Sequence, residues 1–475
     1  MANSPSEVID SPSIRGLIWM YVILLIFEGV LRKWLLPGFS DPLLLVRDPF
    51  LVLIYLIALG KGAFPLNGYI GALLVIGVIA AVAGITVGSQ DPIVTAYGFD
   101  CMFFHLPLVF VIPKVMTRND VVKIGRFLLL MTFPMAVLMA VQFRSPPDAL
   151  INCGAGGGIG SQMGGALGKI RPPGFFTFIT GAAHFLALTT AFLIFGLWKK
   201  GIYSRVLIIG VGISIAVAAI VSTSRLALGA IGTVFVMIGV IVAHDRRSMS
   251  NVMGMLIPIG IVMVVATNLD IFDEGRQVFE ARLQNTSDAA VGIAGTASNW
   301  TARIFGDFYG GFTAMKDAPV LGAGLGVGTN VGARVLSGQF GFLLAEGEWS
   351  RVVLELGPLL AVPYLLIRLM ICVSLYATAA RSARVGNVLP MLLFGSCALL
   401  VTIGQFSQTS TLGFAVLGAG LCLAAANWRP RSHIIGANVE AIASNIPSNP
   451  TRPRGRSPYA ETLHGNTPLR TPSPA

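Results

Sequence analysis

Four charged residues stand close together in the stretch FLLAEGEWSRVVLELG, which covers residues 342–357 and opens a long apolar run. Glu348, Arg351 and Glu355 are spaced by three and four residues, so on a helix they share one face and can pair. Glu346 is predicted to point elsewhere or to cap the helix start, where a carboxylate suits the helix dipole. Such charges are costly in lipid, which leaves two interpretations open: a structural cluster that anchors the helix end, and a functional site.

Three arginines elsewhere have the chemistry to bind an oxyanion, because a guanidinium can donate two parallel hydrogen bonds to phosphate. Arg225 follows a run of hydroxyl residues in STSRLALGAIG, and Arg171 precedes two prolines that fix the backbone in IRPPGFFTF. Arg303 lies in the helix-like stretch TARIFGDFYGGFTAMKD, where a solvated loop charge is the competing interpretation. For Arg225 and Arg171 the competing interpretation is a long side chain that reaches to the membrane interface.

The composition is that of a membrane protein. The chain has 475 residues, of which 54% are hydrophobic and 12% charged, and its mean hydropathy is +0.77. A soluble protein cannot bury that much apolar surface, so we predict an all-α polytopic membrane protein. The net charge of +11 lies in short segments between apolar runs, and nucleic acid is not expected as a partner. No two of the five histidines have metal-ligand spacing, and we predict neither a metal site nor a cofactor.

Twelve apolar segments are predicted as transmembrane helices, near residues 14–36, 49–62, 68–88, 94–113, 124–143, 173–197, 204–222, 226–243, 252–268, 350–374, 387–405 and 409–427. The chain then divides into helices 1–9 (1–268), a long loop with short helices (269–349), helices 10–12 (350–427) and a tail (428–475). The tail is rich in Pro, Ser, Asn and Arg and is predicted to be disordered and cytoplasmic. In the long loop, GAGLGVG is similar to a dinucleotide fingerprint but lacks a preceding strand, and it is predicted to be a turn.

Lysines and arginines concentrate in alternate loops, which predicts the orientation of the helices. With both termini in the cytoplasm, the long loop between helices 9 and 10 lies outside, where a structured loop usually carries function. On this topology the unusual charges share one depth near the outer surface, which favours a functional site. They are Glu28, Arg32, Lys33, Arg47, Asp48, Asp100, Arg171, Arg225, Glu348, Arg351 and Glu355. Of these, Glu28, Arg32 and Glu355 are predicted to be structural.

The order of several motifs resembles a known family. Twelve spans, a large external loop and the stretches RPPGFFTF, STSRLAL, GAGLGVGTN and LELGPLL together resemble the O-antigen ligase and O-antigen polymerase superfamily. The resemblance covers mainly residues 160–360, and FEGVLRKWLLP near the start is similar to a feature of exopolysaccharide polymerases. Members of this family join glycans outside the bacterial inner membrane. Their donor is a glycan on a polyprenyl diphosphate, and no metal is required.

The resemblance implies roles for the arginines. Arg225 matches the family arginine after span 7, and Arg171 matches the arginine of the RP-G motif, both of which hold the diphosphate. Arg351 and Arg303 are further candidates for substrate binding. Cations stabilise the charge that develops on the diphosphate as the sugar bond breaks.

The glutamates have a second task, which is to remove the proton of the acceptor hydroxyl. In ligases a histidine stands nine residues before the glutamate of the E-x-G motif. Here that glutamate is Glu355 and the histidine position holds Glu346, a departure that favours a polymerase over a ligase. The predicted base is Glu348 or Glu346, and Glu348 is preferred because it shares a face with Arg351.

The expected function is polymerisation of polyprenyl-diphosphate-linked oligosaccharide repeat units by inverting glycosyl transfer, in the inner membrane with the active site facing the periplasm or cell exterior. Two alternatives stay open: a ligase that transfers a finished glycan to a lipid or protein, and a transporter or flippase for a lipid-linked or anionic substrate. A transporter is typically built from repeated halves, and no internal repeat is evident. Membrane lipid, a flippase and a chain-length regulator are the expected partners.

Overall fold

The computed structural model describes residues 8–284, 305–338 and 341–427. Apart from one antiparallel bridge between Gly164 and Ile170, the regular structure in these ranges is helical, which confirms the all-α prediction. The α-helices are α1 (Pro12–Val30), α2 (Asp48–Gly60), α3 (Gly68–Thr86), α4 (Pro92–Phe99), α5 (Leu108–Val115), α6 (Arg118–Arg144), α7 (Ile179–Trp198), α8 (Arg205–Val221), α9 (Arg225–His244), α10 (Met249–Thr267), α11 (Asp270–Gln284), α12 (305–314), α13 (Asn330–Ser337), α14 (Glu348–Arg384), α15 (Leu389–Ile403) and α16 (Thr409–Ala426). The predicted tail, 428–475, lies outside the described residues.

Within the described residues, eight helical segments are long and apolar enough to cross a membrane, which confirms a multi-pass membrane protein. They are Pro12–Leu35, Pro42–Gly60, Gly68–Thr86, Arg118–Arg144, Ile179–Trp198, Arg225–His244, Glu348–Arg384 and Thr409–Ala426. A ninth is obtained if Pro92–Phe104 and Leu108–Val115, which meet at a bend of 42°, count as one span. Three shorter apolar helices, Arg205–Val221, Met249–Val262 and Leu389–Ile403, coincide with the other predicted segments. The count of twelve spans, and the side on which the long loop lies, stay predictions.

Helices α7 and α16 form the centre of the bundle. Of their most apolar windows, 89% and 78% are buried, against 17% for α9. Helix α15 packs against α16, α14, α9 and α7, and α16 also packs against α5. The outer helices expose apolar side chains such as Leu74 and Val75 of α3, as a surface in contact with lipid requires.

Serine side chains fix where α8 and α9 begin. The hydroxyl of Ser224 accepts the Ala227 N–H at 3.4 Å, and Ser204 caps α8 in the same way. Each cap leaves the arginine that follows it as the first residue of its helix, Arg225 in α9 and Arg205 in α8. A capped N-terminus is the positive end of the helix dipole, so these two arginines stand at electrostatically similar helix ends.

Helix α14 is broken at Gly357, whose φ of 69° and ψ of 160° lie in a region that is essentially restricted to glycine. Glu348 and Arg368 are 20 residues apart, which is about 30 Å along a straight helix. Their side chains nevertheless meet, with Nη1 of Arg368 at 2.6 Å from Oε1 of Glu348. The first part of α14, residues 348–356, must therefore fold back along the part that follows Gly357. We call residues 348–356 the folded-back arm.

Candidate functional site

The charges of the folded-back arm belong to one buried ion network. Arg351 donates to Glu348 Oε2 from Nε at 3.0 Å and from Nη2 at 2.9 Å, and to Glu355 Oε2 from Nη1 at 2.9 Å. Arg368 Nη1 donates to the other oxygen of Glu348. These four side chains are at most 1% exposed, and they carry two positive and two negative charges. Balanced charge and complete hydrogen bonding are what make such groups tolerable in apolar surroundings.

The stretch GAGLGVG forms a turn that packs against the folded-back arm. The N–H groups of Gly328 and Gly326 donate to the Glu355 carboxylate at 2.8 and 3.3 Å. Gly322, Gly324 and Gly326 have φ angles of 76°, 112° and 88°, which glycine adopts without strain. Backbone amides here hold a side-chain carboxylate of the same chain, which is the geometry expected if Glu355 is structural.

A cavity of about 640 Å³, the first cavity, opens beside this network. Its polar lining comes from α7, α9, α12, the start of α14, α15 and the start of α16. The polar residues are Thr180, His184, Arg225, Thr233, Asp307, Glu346, Glu348, Ser350, Ser396, Gln405, Gln408 and Thr411. Thr233 lies about 12 Å along α9 from Arg225, so the cavity reaches into the bundle. Its volume is in the range of small-molecule binding sites.

Arg225 lines the first cavity, and among the described residues no acidic side chain forms a salt bridge with it. It is the first residue of α9, so the positive end of that helix lies beside its guanidinium. It is also only partly buried. A partly exposed guanidinium at a helix N-terminus is suited to bind an anion with several oxygens, such as a diphosphate.

One further arginine reaches the start of α9 through Thr223. Arg282 of α11 donates from Nη1 to the Thr223 carbonyl. Gly165, in the turn that precedes Arg171, packs against the same residue, because a Cβ added there would lie 3.3 Å from Thr223 Oγ1. Arg171 is not among the residues that line the first cavity. The structure therefore brings Arg282 to the residue two positions before Arg225.

Two further acidic residues line the first cavity, and neither belongs to the buried ion network. Glu346 is exposed at the cavity mouth. Asp307 of α12 is half-buried, and its Oδ2 accepts the Trp349 N–H at 3.4 Å, so it caps α14 where the N-cap residue Gly347 has no side chain. Burial, and then the nearby charge of Glu348, raises the pKa of Asp307 to about 6. A carboxylate with this pKa can accept a proton near neutral pH.

Glu348 also reaches the wall of the first cavity, but both of its oxygens are hydrogen-bonded to arginine. Its Oε1 additionally lies 3.4 Å from the Phe406 N–H, and its side chain is 0% exposed. Because arginine donors occupy both oxygens, neither is free to contact the hydroxyl of an acceptor. The geometry therefore favours Asp307 and Glu346 as proton acceptors over Glu348, which the sequence analysis preferred.

A second cavity, of about 1330 Å³, shares Gln408 with the first. Its polar residues are Arg32, Ser40, Asp41, Asp48, Tyr97, Asp100, Thr177, Asn330, Arg334, Ser407, Gln408, Thr409 and Ser410. On its wall, Arg32 binds Glu28 at 3.2 Å and the Ser40 carbonyl at 2.9 Å. The Thr409 hydroxyl donates to Glu28 at 2.9 Å. Glu28 thus joins α1 to Thr409 of α16 and to Arg32, as expected if the pair is structural.

Three side chains in the described part of the chain are close enough to hold a metal ion: Asp48, Asp100 and His105, whose ligand atoms lie within 4.8 Å of one another. His105 Nε2 is 3.2 Å from Asp48 Oδ1 and 3.4 Å from Asp100 Oδ1. Its Nδ1 is 3.0 Å from the Tyr21 hydroxyl. The ring therefore contacts Asp48 by a hydrogen bond and lies within ion-pair distance of Asp100.

The structure separates the site residues predicted from the sequence into groups. Arg225, Glu346 and Glu348 line the first cavity together. Arg351 lies behind the cavity wall, 1% exposed and held by two carboxylates, so it is not placed to bind a substrate as predicted. Arg303 lies outside the described residues.

Sequence reasoning missed Asp307, Arg368 and Arg282. Arg368 could have been found, because it is a lone charge inside the apolar run GPLLAVPYLLIRLMICV, where an ionisable residue is a site hypothesis by default. Asp307 and Arg282 stand in polar segments among other charges, where the sequence gives no signal that distinguishes them.

Comparisons with known proteins give no identity for this chain. No protein-family model matches it, and no curated protein matches it. The arrangement of residues in the first cavity is therefore the basis for a function.

Proposed function

We propose that this chain is a glycosyltransferase that polymerises polyprenyl-diphosphate-linked oligosaccharide repeat units. The observation that carries the proposal is the first cavity, in which Arg225 has no acidic partner among the described residues and stands with Asp307 and Glu346. A cation for a leaving diphosphate and a base for an acceptor hydroxyl are the two groups that a glycosyl transfer of this kind needs. The family resemblance of the sequence leads to the same reaction.

In the proposed reaction, an acceptor hydroxyl oxygen attacks the anomeric carbon of the donor from the side opposite the diphosphate. The new glycosidic bond forms as the bond from the anomeric carbon to the phosphate oxygen breaks, and the configuration inverts. Polyprenyl diphosphate leaves with the bonding electron pair, and the hydroxyl proton passes to a carboxylate. Arg225 stabilises the leaving group, because its charge is already in place when negative charge develops there.

Asp307 is the proposed proton acceptor. Its pKa of about 6 leaves most of it ionised at neutral pH while keeping it more basic than an ordinary aspartate. Glu346, exposed at the mouth of the same cavity, remains the second candidate. Glu348 is proposed to position the cavity wall through Arg351 and Arg368, in place of the base role predicted for it from the sequence.

The second cavity supports a reaction with two large substrates. Gln408 lines both cavities, so the two adjoin at this residue and could hold a donor glycan and an acceptor side by side. A polymerase and a ligase both need this arrangement, and they differ only in the acceptor. The enzyme is proposed to act in the bacterial inner membrane, facing the periplasm or cell exterior, beside a flippase that supplies the donor and a regulator of chain length.

The test uses the purified full-length chain in detergent with a polyprenyl-diphosphate-linked repeat unit and a chelator. A ladder of glycans of increasing length on a gel is the expected product, and it should persist with the chelator. Transfer of one preformed chain to an added lipid or protein acceptor, without a ladder, would replace the polymerase by the ligase. Recovery of the unchanged donor in all conditions would reject a glycosyltransferase.

A further inference from the structure

Helix α7 contributes two residues to the lining of the first cavity that each carry a buried polar atom with no hydrogen-bond partner among the described residues: Nδ1 of His184 and Oγ1 of Thr180. His184 is 4% exposed, and its other ring nitrogen, Nε2, lies 3.2 Å from Thr411 Oγ1. Thr180 and His184 are four residues apart, so they project from one face of α7. That face is part of the cavity lining.

Buried polar atoms in proteins are nearly always hydrogen-bonded, because an unpaired one loses its contacts with water and gains nothing in return. Other hydroxyls of α7 follow this rule. The Thr190 hydroxyl donates to the Leu186 carbonyl at 2.7 Å, and the Thr189 hydroxyl donates to the Phe185 carbonyl at 3.0 Å. Thr180 and His184 differ in that they face a cavity, so a bound molecule can supply the missing partner.

The chemistry of this part of the cavity differs from that around Arg225. Thr180 and Thr411 offer hydroxyls, His184 an imidazole and Gln408 a carboxamide. All of these can both donate and accept hydrogen bonds, as a hydroxyl-rich ligand requires. A diphosphate, which only accepts hydrogen bonds and carries charge, fits the Arg225 side better.

We propose that Thr180, His184 and Thr411 form a hydroxyl subsite, which binds the hydroxyl groups of the sugar attached to the diphosphate. This inference rests on the proposed function and extends it, because it assigns recognition of the donor sugar to residues that have no part in the chemistry. Helices α7 and α9 pack against each other, and Arg225, Thr180 and His184 line the same cavity, so we expect a donor whose diphosphate contacts Arg225 to hold its first sugar beside α7.

The experiment compares two tritiated probes on the full-length chain in nanodiscs by scintillation proximity: polyprenyl diphosphate, and the same lipid carrying one N-acetylhexosamine. The wild type should bind the sugar-bearing probe more tightly. Thr180→Val, which keeps the side-chain shape, should weaken the binding of the sugar-bearing probe about two- to tenfold, the range for one hydrogen bond. It should leave the affinity for the bare lipid unchanged. His184→Phe should do the same. Thr190→Val, on the same helix but outside the cavity, should change neither affinity.

The outcomes separate the two proposals. If Arg225→Ala weakens both probes while Thr180→Val and His184→Phe keep the wild-type preference for the sugar-bearing probe, the hydroxyl subsite is wrong and the proposed function stands. Equal affinity of the wild type for the two probes likewise rejects the subsite. If the wild type binds neither probe, the proposed function fails, and the subsite fails with it. Should His184→Phe not fold, Thr180→Val alone decides.

Discussion

Arg368 Nη1 lies 2.6 Å from Glu348 Oε1, although 20 residues of the same helix separate them. The contact requires the break at Gly357, which turns residues 348–356 back on the helix. It also places the start of α14, with Asp307 as its cap, against the first cavity. One ion pair therefore links the charges noticed in the sequence to the wall of the candidate site.

Loss of the Glu348–Arg368 ion pair should lower the stability of the protein as well as its activity. Glu348→Gln leaves the buried Arg368 with one carboxylate oxygen fewer to pair with, and breaking a buried ion pair typically costs about 3–5 kcal/mol. We expect a large fall in the apparent melting temperature in detergent, partly restored in Glu348→Gln/Arg368→Met. Glu274→Gln, whose pair with Arg144 is about half exposed, should change stability by no more than about 1 kcal/mol. A Glu348→Gln protein as stable as the wild type but inactive would return the role of base to Glu348.

The break in α14 makes a separate prediction at Gly357. A Cβ there would lie 2.1 Å from the Val320 carbonyl oxygen, which is a steric clash. Alanine would also be strained at the φ of 69°, so Gly357→Ala should destabilise the protein by about 1–3 kcal/mol from backbone strain alone. Gly239→Ala is the control, because it lies inside α9 with nothing within 4 Å of the new methyl group. The melting temperature of Gly357→Ala should therefore fall well below that of Gly239→Ala. Equal melting temperatures would contradict the folded-back arm.

These features show what the sequence could and could not predict. The spacing of Glu348, Arg351 and Glu355 predicts one helix face, and the three side chains do pair. The fold-back could not be predicted, because it depends on the φ of Gly357 and on Arg368, which is distant in sequence. The preference for Glu348 as base came from its position beside Arg351. The same neighbour, with Arg368, occupies the carboxylate oxygens.

The residues of the candidate site could likewise be predicted only in part from the sequence. Arg225 was predicted from its chemistry and its place after a run of hydroxyls, and the structure has it at the start of α9 in the first cavity. Asp307 carries no local signal, since it lies among other charges in a polar segment, whereas His184 is a lone ionisable residue in an apolar run and carries the same signal as Arg368. Only tertiary packing brings them to one cavity.

Arg225 should be needed for polymer formation. Loss of one charge-assisted contact to the transition state typically costs about 30- to 1000-fold in rate, so the polymerisation rate of Arg225→Ala should fall by that factor. Arg225→Lys keeps the charge but loses the planar fork, and it should be intermediate. The matched control is Arg205→Ala, because Arg205 also follows a serine cap as the first residue of a helix, yet it is exposed outside the cavity. Normal ladder formation by Arg225→Ala, at an equal protein level, would falsify this role.

The rate should depend on pH through Asp307. A base acts only when deprotonated, so the rate should rise between about pH 5 and pH 7, with a midpoint near the pKa of about 6. Asp307→Asn should remove this rise and lower the rate about 10²–10⁴-fold. Asp317→Asn, an exposed aspartate of the same loop, should keep the wild-type profile. If Asp307→Asn keeps both rate and midpoint while Glu346→Gln loses them, Glu346 is the base.

The fate of the donor diphosphate tests the central claim most directly. The full-length chain is placed in proteoliposomes with a repeat unit on polyprenyl diphosphate labelled with ³²P, and free polyprenyl diphosphate is measured by thin-layer chromatography beside the glycan ladder. A polymerase should release one polyprenyl diphosphate for every glycosidic bond that it forms, and Arg225→Ala should reduce both together. Movement of the intact donor across the bilayer, with no free polyprenyl diphosphate and no ladder, would contradict a glycosyltransferase and establish a transporter.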